Sequence, residues 1–261
     1  MDGQLSEHPF TLGDLEAMGL TRPRLRFLLR EGRVRRVLHG VFVRDDVPDT
    51  PVLRAAAAAL VLPSHTVVCD RSAAWLHGVD CFDPAEDPAS CALEVIAIDD
   101  HDRTRRPEFY GGKRTLLPDD ICELNGVRVT TPARTAADLA RLRGRRSAIA
   151  VLDAFARQHG VAQADHRRLL ARLKGHRGVV QYRDLAPLAD PRSESFAESW
   201  TRIEILDHGL PAPVPQVWVD LPGFGNVRLD LAYPRWKVAV EYNGEEFHDS
   251  PEARAADEKR A

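Results

Sequence analysis

Between Thr21 and Arg44 the chain places arginine at positions 22, 24, 26, 30, 33, 35, 36 and 44, against a single acid, Glu31. So many like charges repel one another and resist burial without partners, so whatever forms here must present most of them to solvent or to an anion. The apolar residues set between them fix the local structure. Thr21 ahead of Arg22-Pro23 supplies an N-cap and an early proline, and Leu25, Leu28 and Leu29 recur at i, i+3, i+4, which predicts a helix ending near Glu31-Gly32. Val34 to Val43 then gives two short β-rich halves broken at His39-Gly40, the pattern of a hairpin. Upstream, Thr11 is expected to cap a helix through Met18, with Gly19 as its stop. Helix, turn, basic helix and hairpin predict a unit that lays its second helix in the major groove of DNA, with Arg24, Arg26, Arg33, Arg35 and Arg36 on phosphates. The plainer alternative is a solvated charged face.

Elsewhere the charge is balanced. The whole chain has 36 Lys and Arg against 39 Asp and Glu, a formal net charge of -3, which argues against a protein that coats nucleic acid over its whole surface. Its 261 residues suffice for one large domain or two to three small ones. The longest apolar run, Ala55 to Leu62, falls well short of the roughly 20 residues that cross a bilayer. The N-terminus lacks a basic start followed by an apolar stretch, so a cytoplasmic location without a membrane partner is expected. Cys69, Cys81, Cys91 and Cys122 have no C-x-x-C spacing and read as reduced, mostly buried thiols.

Two proline- and acid-rich junctions, Asp45–Pro51 and Asp190–Ser195, divide the chain into a winged helix-turn-helix front (1–46), an α/β middle (51–189) and an end segment (193–261). The fold class expected is therefore multidomain α/β. The middle reads as helices at about 51–62 and 71–77, a strand at 93–98, a strand at 127–130, and a helix opened by Thr131 as cap with Pro132 in its first turn. Helices near 145–159, 165–173 and 179–187 follow. Loops at Phe82–Pro88 and Asp99–Asp102 read as exposed. No chemical constellation stands out, and the middle reads as scaffold. The end segment reads as a helix from Phe196 to His208 and strands at 216–221, 227–232 and 236–242, with Gly223–Asn226 as a turn. Lys237-Val-Ala-Val-Glu-Tyr242 has the apolar character of a buried central strand.

Candidate chemistry lies in this end segment. Metal-dependent phosphodiester cleavage needs carboxylates at adjacent strand ends to hold the ion against a phosphate oxygen and activate a water. Asp230 and Glu241, on neighbouring strands joined by Tyr233-Pro-Arg-Trp236, meet that pattern for a magnesium ion. Asn243 or His248 offers a neutral ligand or a general acid or base, and Glu198 on the preceding helix a further carboxylate. Each also has a structural explanation. Ser195-Phe-Ala-Glu198 fits a capping box, Asp230 shares its strand parity with Arg228, and His248 alone fits a loop histidine. Glu241 follows a strand expected to be buried, where an acid needs a partner.

Two resemblances bear on these residues. Ser193 to Ala261, with Glu198, Asp230, Glu241-Tyr-Asn-Gly244 and His248, resembles the very-short-patch-repair-like domain of the restriction-endonuclease-like superfamily, a mixed sheet with flanking helices. The resemblance implies magnesium bound near Asp230 and Glu241, with Glu198 assisting and His248 moving protons. Asn243 stands where the superfamily usually has lysine, and Pro251 to Ala261 reads as the opening of a helix in a shortened version of that domain. Phe10 to Val43, with Leu20-Thr-Arg-Pro-Arg-Leu25 and Gly32-Arg-Val-Arg-Arg-Val-Leu-His-Gly-Val-Phe42, resembles the winged-helix N-terminal domain of AbiEi-type antitoxins, which bind promoter DNA. Thr130-Thr-Pro-Ala-Arg-Thr-Ala-Ala-Asp138 is similar to the region that follows it in those proteins. The two resemblances imply either a DNA-binding magnesium-dependent endonuclease or a non-catalytic antitoxin and transcriptional regulator with a degenerate nuclease segment. In the second case DNA and a toxin or operon partner are the expected partners.

Overall fold

The computed structural model describes residues 5, 7–82, 85–88, 91–98, 101–102, 109–221, 223 and 225–242, and within them three sheets follow one another along the chain. The first is antiparallel and consists of β1 (Phe10–Thr11), β2 (Val34–Leu38) and β3 (Val41–Arg44) in the order β1-β3-β2. Between β1 and β2 lies helix α1 (Arg22–Arg30), whose N-cap Thr21 accepts from the Arg24 amide at 3.3 Å. Leu25 and Leu28 turn the inner face of α1 onto Phe10, Leu15, Val34 and Phe42, forming a small core. Gly40, at φ 76, permits the tight reversal between β2 and β3.

The helix expected from Thr11 to Met18 is instead a series of turns. Thr11 pairs with Val41 in β1, and the Asp14 carboxylate accepts from the Thr11 amide at 2.7 Å and from its hydroxyl at 2.8 Å. Gly19, at φ 65, closes the segment, leaving room for little more than one turn. Among the described residues the front unit is therefore a strand, turns, one helix and a hairpin, the last in the position of the expected wing, and the first helix of the expected helix-turn-helix is not formed.

The middle is built on a five-stranded mixed sheet of order β6-β5-β4-β8-β7. Its strands are β4 (Thr66–Val68), β5 (Leu93–Ala97), β6 (Phe109–Lys113), β7 (Ile121–Leu124) and β8 (Val127–Thr130). Pairs β5–β6 and β4–β8 are parallel, whereas β4–β5 and β7–β8 are antiparallel. Helices α2 (Pro51–Ala59) and α3 (Asp70–Leu76) share one core with this sheet and with Val37, Leu38, Val41 and Val43 of the wing, so the front unit packs directly on the middle. A second core joins α4 (Pro132–Leu142), α5 (Arg145–His159), α6 (Gln163–Arg172) and α7 (Val179–Leu185). Thr131 caps α4 as expected, accepting from the Arg134 amide at 3.3 Å. Gly178, at φ 76, lies so near α4 that a Cβ there would sit 1.9 Å from the Arg141 carbonyl oxygen.

Helix α8 (Phe196–Asp207) opens the end segment yet anchors in this second core through Ile203. Buried Asp153 of α5 accepts from Ser199 Oγ at 2.7 Å and from Arg202 Nη2 at 2.6 Å, fixing α8 against α5. Beyond it, β9 (Val214–Leu221), β10 (Gly225–Tyr233) and β11 (Val238–Val240) form an antiparallel sheet of order β11-β10-β9. β11 corrects a sequence-based expectation. It is not a buried central strand: among the described residues it has one neighbour, β10, and Val238 is 49% exposed. Apolar side chains alone do not bury a strand; a second layer must cover them. The fold is thus mixed α/β, with three sheets and helices packed against them among the described residues. Among the described residues no helix is long and apolar enough to cross a membrane.

Candidate functional site

On α1 the buried leucines leave a complementary outer face. At 3.6 residues per turn, Pro23, Phe27 and Arg30 stand opposite Leu25 and Leu28, with Arg22 and Arg26 on one flank and Arg24 on the other. Arg24 stacks its guanidinium 4.9 Å from the Phe27 ring centroid. Arg24, Arg26, Arg33 and Arg36 are exposed. Arg35 is half-buried and donates to the Val47 carbonyl at 2.8 Å, so it braces the wing against the following segment. Arg44, at the end of β3, pairs with Glu7 at 3.1 Å and with Asp46. Arg22, Arg26, Arg30 and Arg36 have no carboxylate partner among the described residues. A cationic helix face and wing edge pointing to solvent can take up phosphates.

The middle treats arginine differently. Asp138, on α4, is 1% exposed and receives Arg134 at 2.8 Å, Arg141 at 2.5 Å and Arg114 at 2.9 Å. Arg134 reaches on to Asp120 at 2.8 Å, and Arg172 closes on Asp120 with two contacts, 2.6 and 3.0 Å. Arg114 also grips Asp70 with both amino groups, at 2.8 and 2.9 Å. Burial alone would raise the carboxyl pKa of Asp138, but Arg114 and Arg134 outweigh it and hold it below the usual range. Asp120 is likewise lowered, with burial opposed by Arg172 and the Leu117 amide. Asp70 opens α3 at φ 50, a conformation uncommon outside glycine, which its double clasp by Arg114 helps to hold. One edge of this network borders a cleft of about 580 Å³ lined by Arg71, Glu94, Tyr110, Arg114 and Arg143.

In the sequence this region reads as scaffold, and although Arg134 and Asp138 fall within the stretch Thr130–Asp138, no charge pairing is expected of them there. One signal was available: Arg134, Asp138 and Arg141 fall on one helix face at i, i+4, i+7. All four cysteines are free, as expected, but only Cys69 is fully buried and Cys81, Cys91 and Cys122 are partly exposed. Burial pushes Cys69 well above its usual value and Cys81 up to about 12.

In the end segment Asp230 and Glu241 do come together. Leu231 pairs with Val240, which sets the two acids side by side at the next position. Asp230 Oδ2 accepts from the Tyr242 amide at 3.2 Å, and Glu241 Oε1 accepts from the Asp230 amide at 3.3 Å. Glu241 is exposed, contrary to the expectation drawn from its strand, because β11 is an edge among the described residues. Glu198 is buried on α8 and faces the same sheet through Gln216, whose amide donates to its carboxylate at 2.8 Å. Its capping role is partly realised. Ser195 Oγ accepts from the Glu198 amide at 3.1 Å, while the Glu198 carboxylate takes the Glu194 amide at 3.0 Å rather than that of Ser195. Gln216, unnoticed in the sequence, sits at φ 55 opposite Asp230, between the pairs Pro215–Leu231 and Val217–Leu229. Among the described residues no three His, Cys, Asp or Glu side chains converge as metal ligands. His248 and Asn243 lie outside the described residues, as does the stretch from Pro251 to Ala261.

Residues 66–189 match the family model described as the AbiEi antitoxin C-terminal domain. Over 245 residues the chain is 32% identical to Uncharacterized protein Rv2248 of Mycobacterium tuberculosis (strain ATCC 25618 / H37Rv), a match covering 92% of this chain and 85% of that protein. Uncharacterized protein MT2308 of Mycobacterium tuberculosis (strain CDC 1551 / Oshkosh) matches with the same identity and coverage. The chain belongs to one family with these mycobacterial proteins. The crystal structure of the RV2827C protein from Mycobacterium tuberculosis is 15% identical, covers 82% of this chain and 84% of that one, and superposes with a TM-score of 0.37.

Proposed function

We propose that this protein is a DNA-binding regulator of the AbiEi antitoxin type, which binds the region upstream of its own gene and has a protein toxin as partner. The observation that carries the reading is the match to the AbiEi antitoxin C-terminal domain over residues 66–189, in a chain whose preceding helix and hairpin display arginine. In this reading Arg24, Arg26, Arg33 and Arg36 meet phosphates from α1 and the wing, and Arg35 keeps the wing in place. The test is competition binding with the full chain on a labelled duplex from its own upstream region. Preference for that duplex over a scrambled one of equal length and composition is expected. Equal affinity for both contradicts the regulatory reading.

A second reading, a magnesium-dependent endonuclease activity in the end segment, is favoured by one observation, the side-by-side placement of Asp230 and Glu241. Two carboxylates on neighbouring strands suit magnesium, which is commonly held by one or two carboxylates and completes its shell with water and phosphate oxygens. Bound there, the ion would polarise a phosphodiester and lower the pKa of a water; His248 would move protons. Asp230 and Glu241 would hold the ion, and the Glu198–Gln216 contact would steady α8 against the sheet. Plasmid nicking with magnesium that is lost in Asp230→Ala supports this activity. Intact plasmid after incubation with the unmodified full chain removes it, and leaves the regulatory reading untouched.

A further inference from the structure

The outer ridge of α1 is not uniformly basic. Phe27 stands in its middle, 48% exposed, between Pro23 and Arg30 one turn to either side, with arginines on both flanks. A helix that only gathers phosphates gains nothing from an apolar ring on its outer ridge, and exposing that ring to water is unfavourable. Nor does the ring serve the fold: the small core beneath α1 is closed by Leu25, Leu28 and, at its margin, Leu29, with Phe27 turned away. Arg24 stacks on the ring at 4.9 Å and so limits its rotamers, which presents it as a fixed surface. The cap at Thr21 and the prolyl residue at 23 fix the first turn of the helix beneath it.

Resting on the DNA-binding reading above, we propose that Phe27 is a specificity-determining residue that packs on the C5-methyl group of thymine in the major groove, with the surrounding arginines holding the helix there. The methyl is the apolar feature that distinguishes a thymine edge in that groove, and an aromatic or small apolar side chain is the chemistry that reads it. The flanking cations argue for DNA over a protein partner. Arg22, Arg26 and Arg30 form a stripe at i, i+4, i+8 beside Phe27, and a polyanion satisfies such a stripe along its whole length.

The experiment compares two versions of the upstream duplex, one synthesised with thymine and one with uracil throughout, which differ only by the methyl groups. Full-length protein, Phe27→Ala and Phe27→Leu are titrated against both at fixed salt. Unmodified protein should bind the thymine duplex more tightly, by about fourfold for each methyl that it buries. Phe27→Ala should bind both duplexes alike, and Phe27→Leu should keep part of the preference. Equal binding of both duplexes by the unmodified protein, or a preference that Phe27→Ala retains in full, overturns the assignment while leaving DNA binding in place. Failure to bind either duplex removes the DNA-binding reading and the assignment with it. Because Phe27 is exposed, the thermal midpoint of Phe27→Ala should match that of the parent, which separates a lost contact from a lost fold.

Discussion

Arginine does opposite work in the front unit and in the middle of this chain. Eight of them between Thr21 and Arg44 face one acid, and most remain at the surface of α1 and β2. In the middle, Arg134 and Arg141 are buried and Arg114 and Arg172 partly so, each fastened to Asp70, Asp120 or Asp138. The residue type is the same; the supply of carboxylates decides its fate. Where acids are scarce the guanidinium stays solvated and available to a polyanion, and where acids converge from several elements it becomes internal fastening. Arginine density therefore identifies a nucleic-acid face only after the internal partners have been accounted for. Arg35 and Arg44 fall out of the front set on that ground.

The sharpest break of this contrast is Asp138→Ala, which leaves Arg134, Arg141 and Arg114 facing one another without their shared acid. Removing one member of a buried ionic network typically costs about 3–5 kcal/mol. Urea unfolding should show a loss of that size. A cost under about 1 kcal/mol would mean that the network does not hold the middle together. The mirror experiment is Arg26→Ala with Arg36→Ala, which should lower affinity for the upstream duplex about tenfold and flatten its salt dependence by about two phosphate contacts. The same pair should shift stability by no more than about 0.5 kcal/mol. A large loss of stability there would place these arginines with the internal set.

Smaller effects refine the picture of the middle. Thr131→Ala removes the α4 cap that positions Arg134 and should cost about 1 kcal/mol, measurable as a shift in denaturation midpoint at unchanged slope. The weakest expected effect concerns pH. Burial lowers the pKa of His166, which shares a 2.8 Å hydrogen bond with Tyr182, and also that of His77, bonded to the Thr130 carbonyl at 2.9 Å. Groups depressed in the folded state contribute stability above their unfolded pKa, about 6.5 for histidine, and that stability is lost as pH falls through the depressed value. Stability should thus decline as pH falls below about 6.5, less steeply in His166→Gln. The aspartates lowered by arginine act in a separate window. Their contribution is intact above about 3.9 and fades only as pH falls further, through the depressed folded values.

Local signals carried much of the architecture. Thr21-Arg-Pro and Thr131-Pro mark helix starts because cap and proline act within a few residues, and His39-Gly40 marks the hairpin for the same reason. β4, β6 and β7 escaped notice. They are three to five residues long, and Phe109-Tyr-Gly-Gly-Lys113 carries no strand alternation; its pairing with β5 is imposed by the sheet. The arginine–aspartate network was hidden because its members come from α3, α4, α6 and the segments beside β6 and β7. Proximity of Asp230 to Glu241 was readable from two runs joined by a short turn, whereas the exposure of Glu241 depended on which layers cover β11, which no property of that strand encodes.

Hydrogen exchange of the full-length chain, with and without its upstream duplex, bears most directly on the assignment of the front unit as the DNA-binding surface. Added protection should concentrate in α1 and the β2–β3 hairpin, residues 22–44, with the sheet of β9 to β11 unchanged. Protection confined to residues 214–242, with none in α1 or the hairpin, would contradict it.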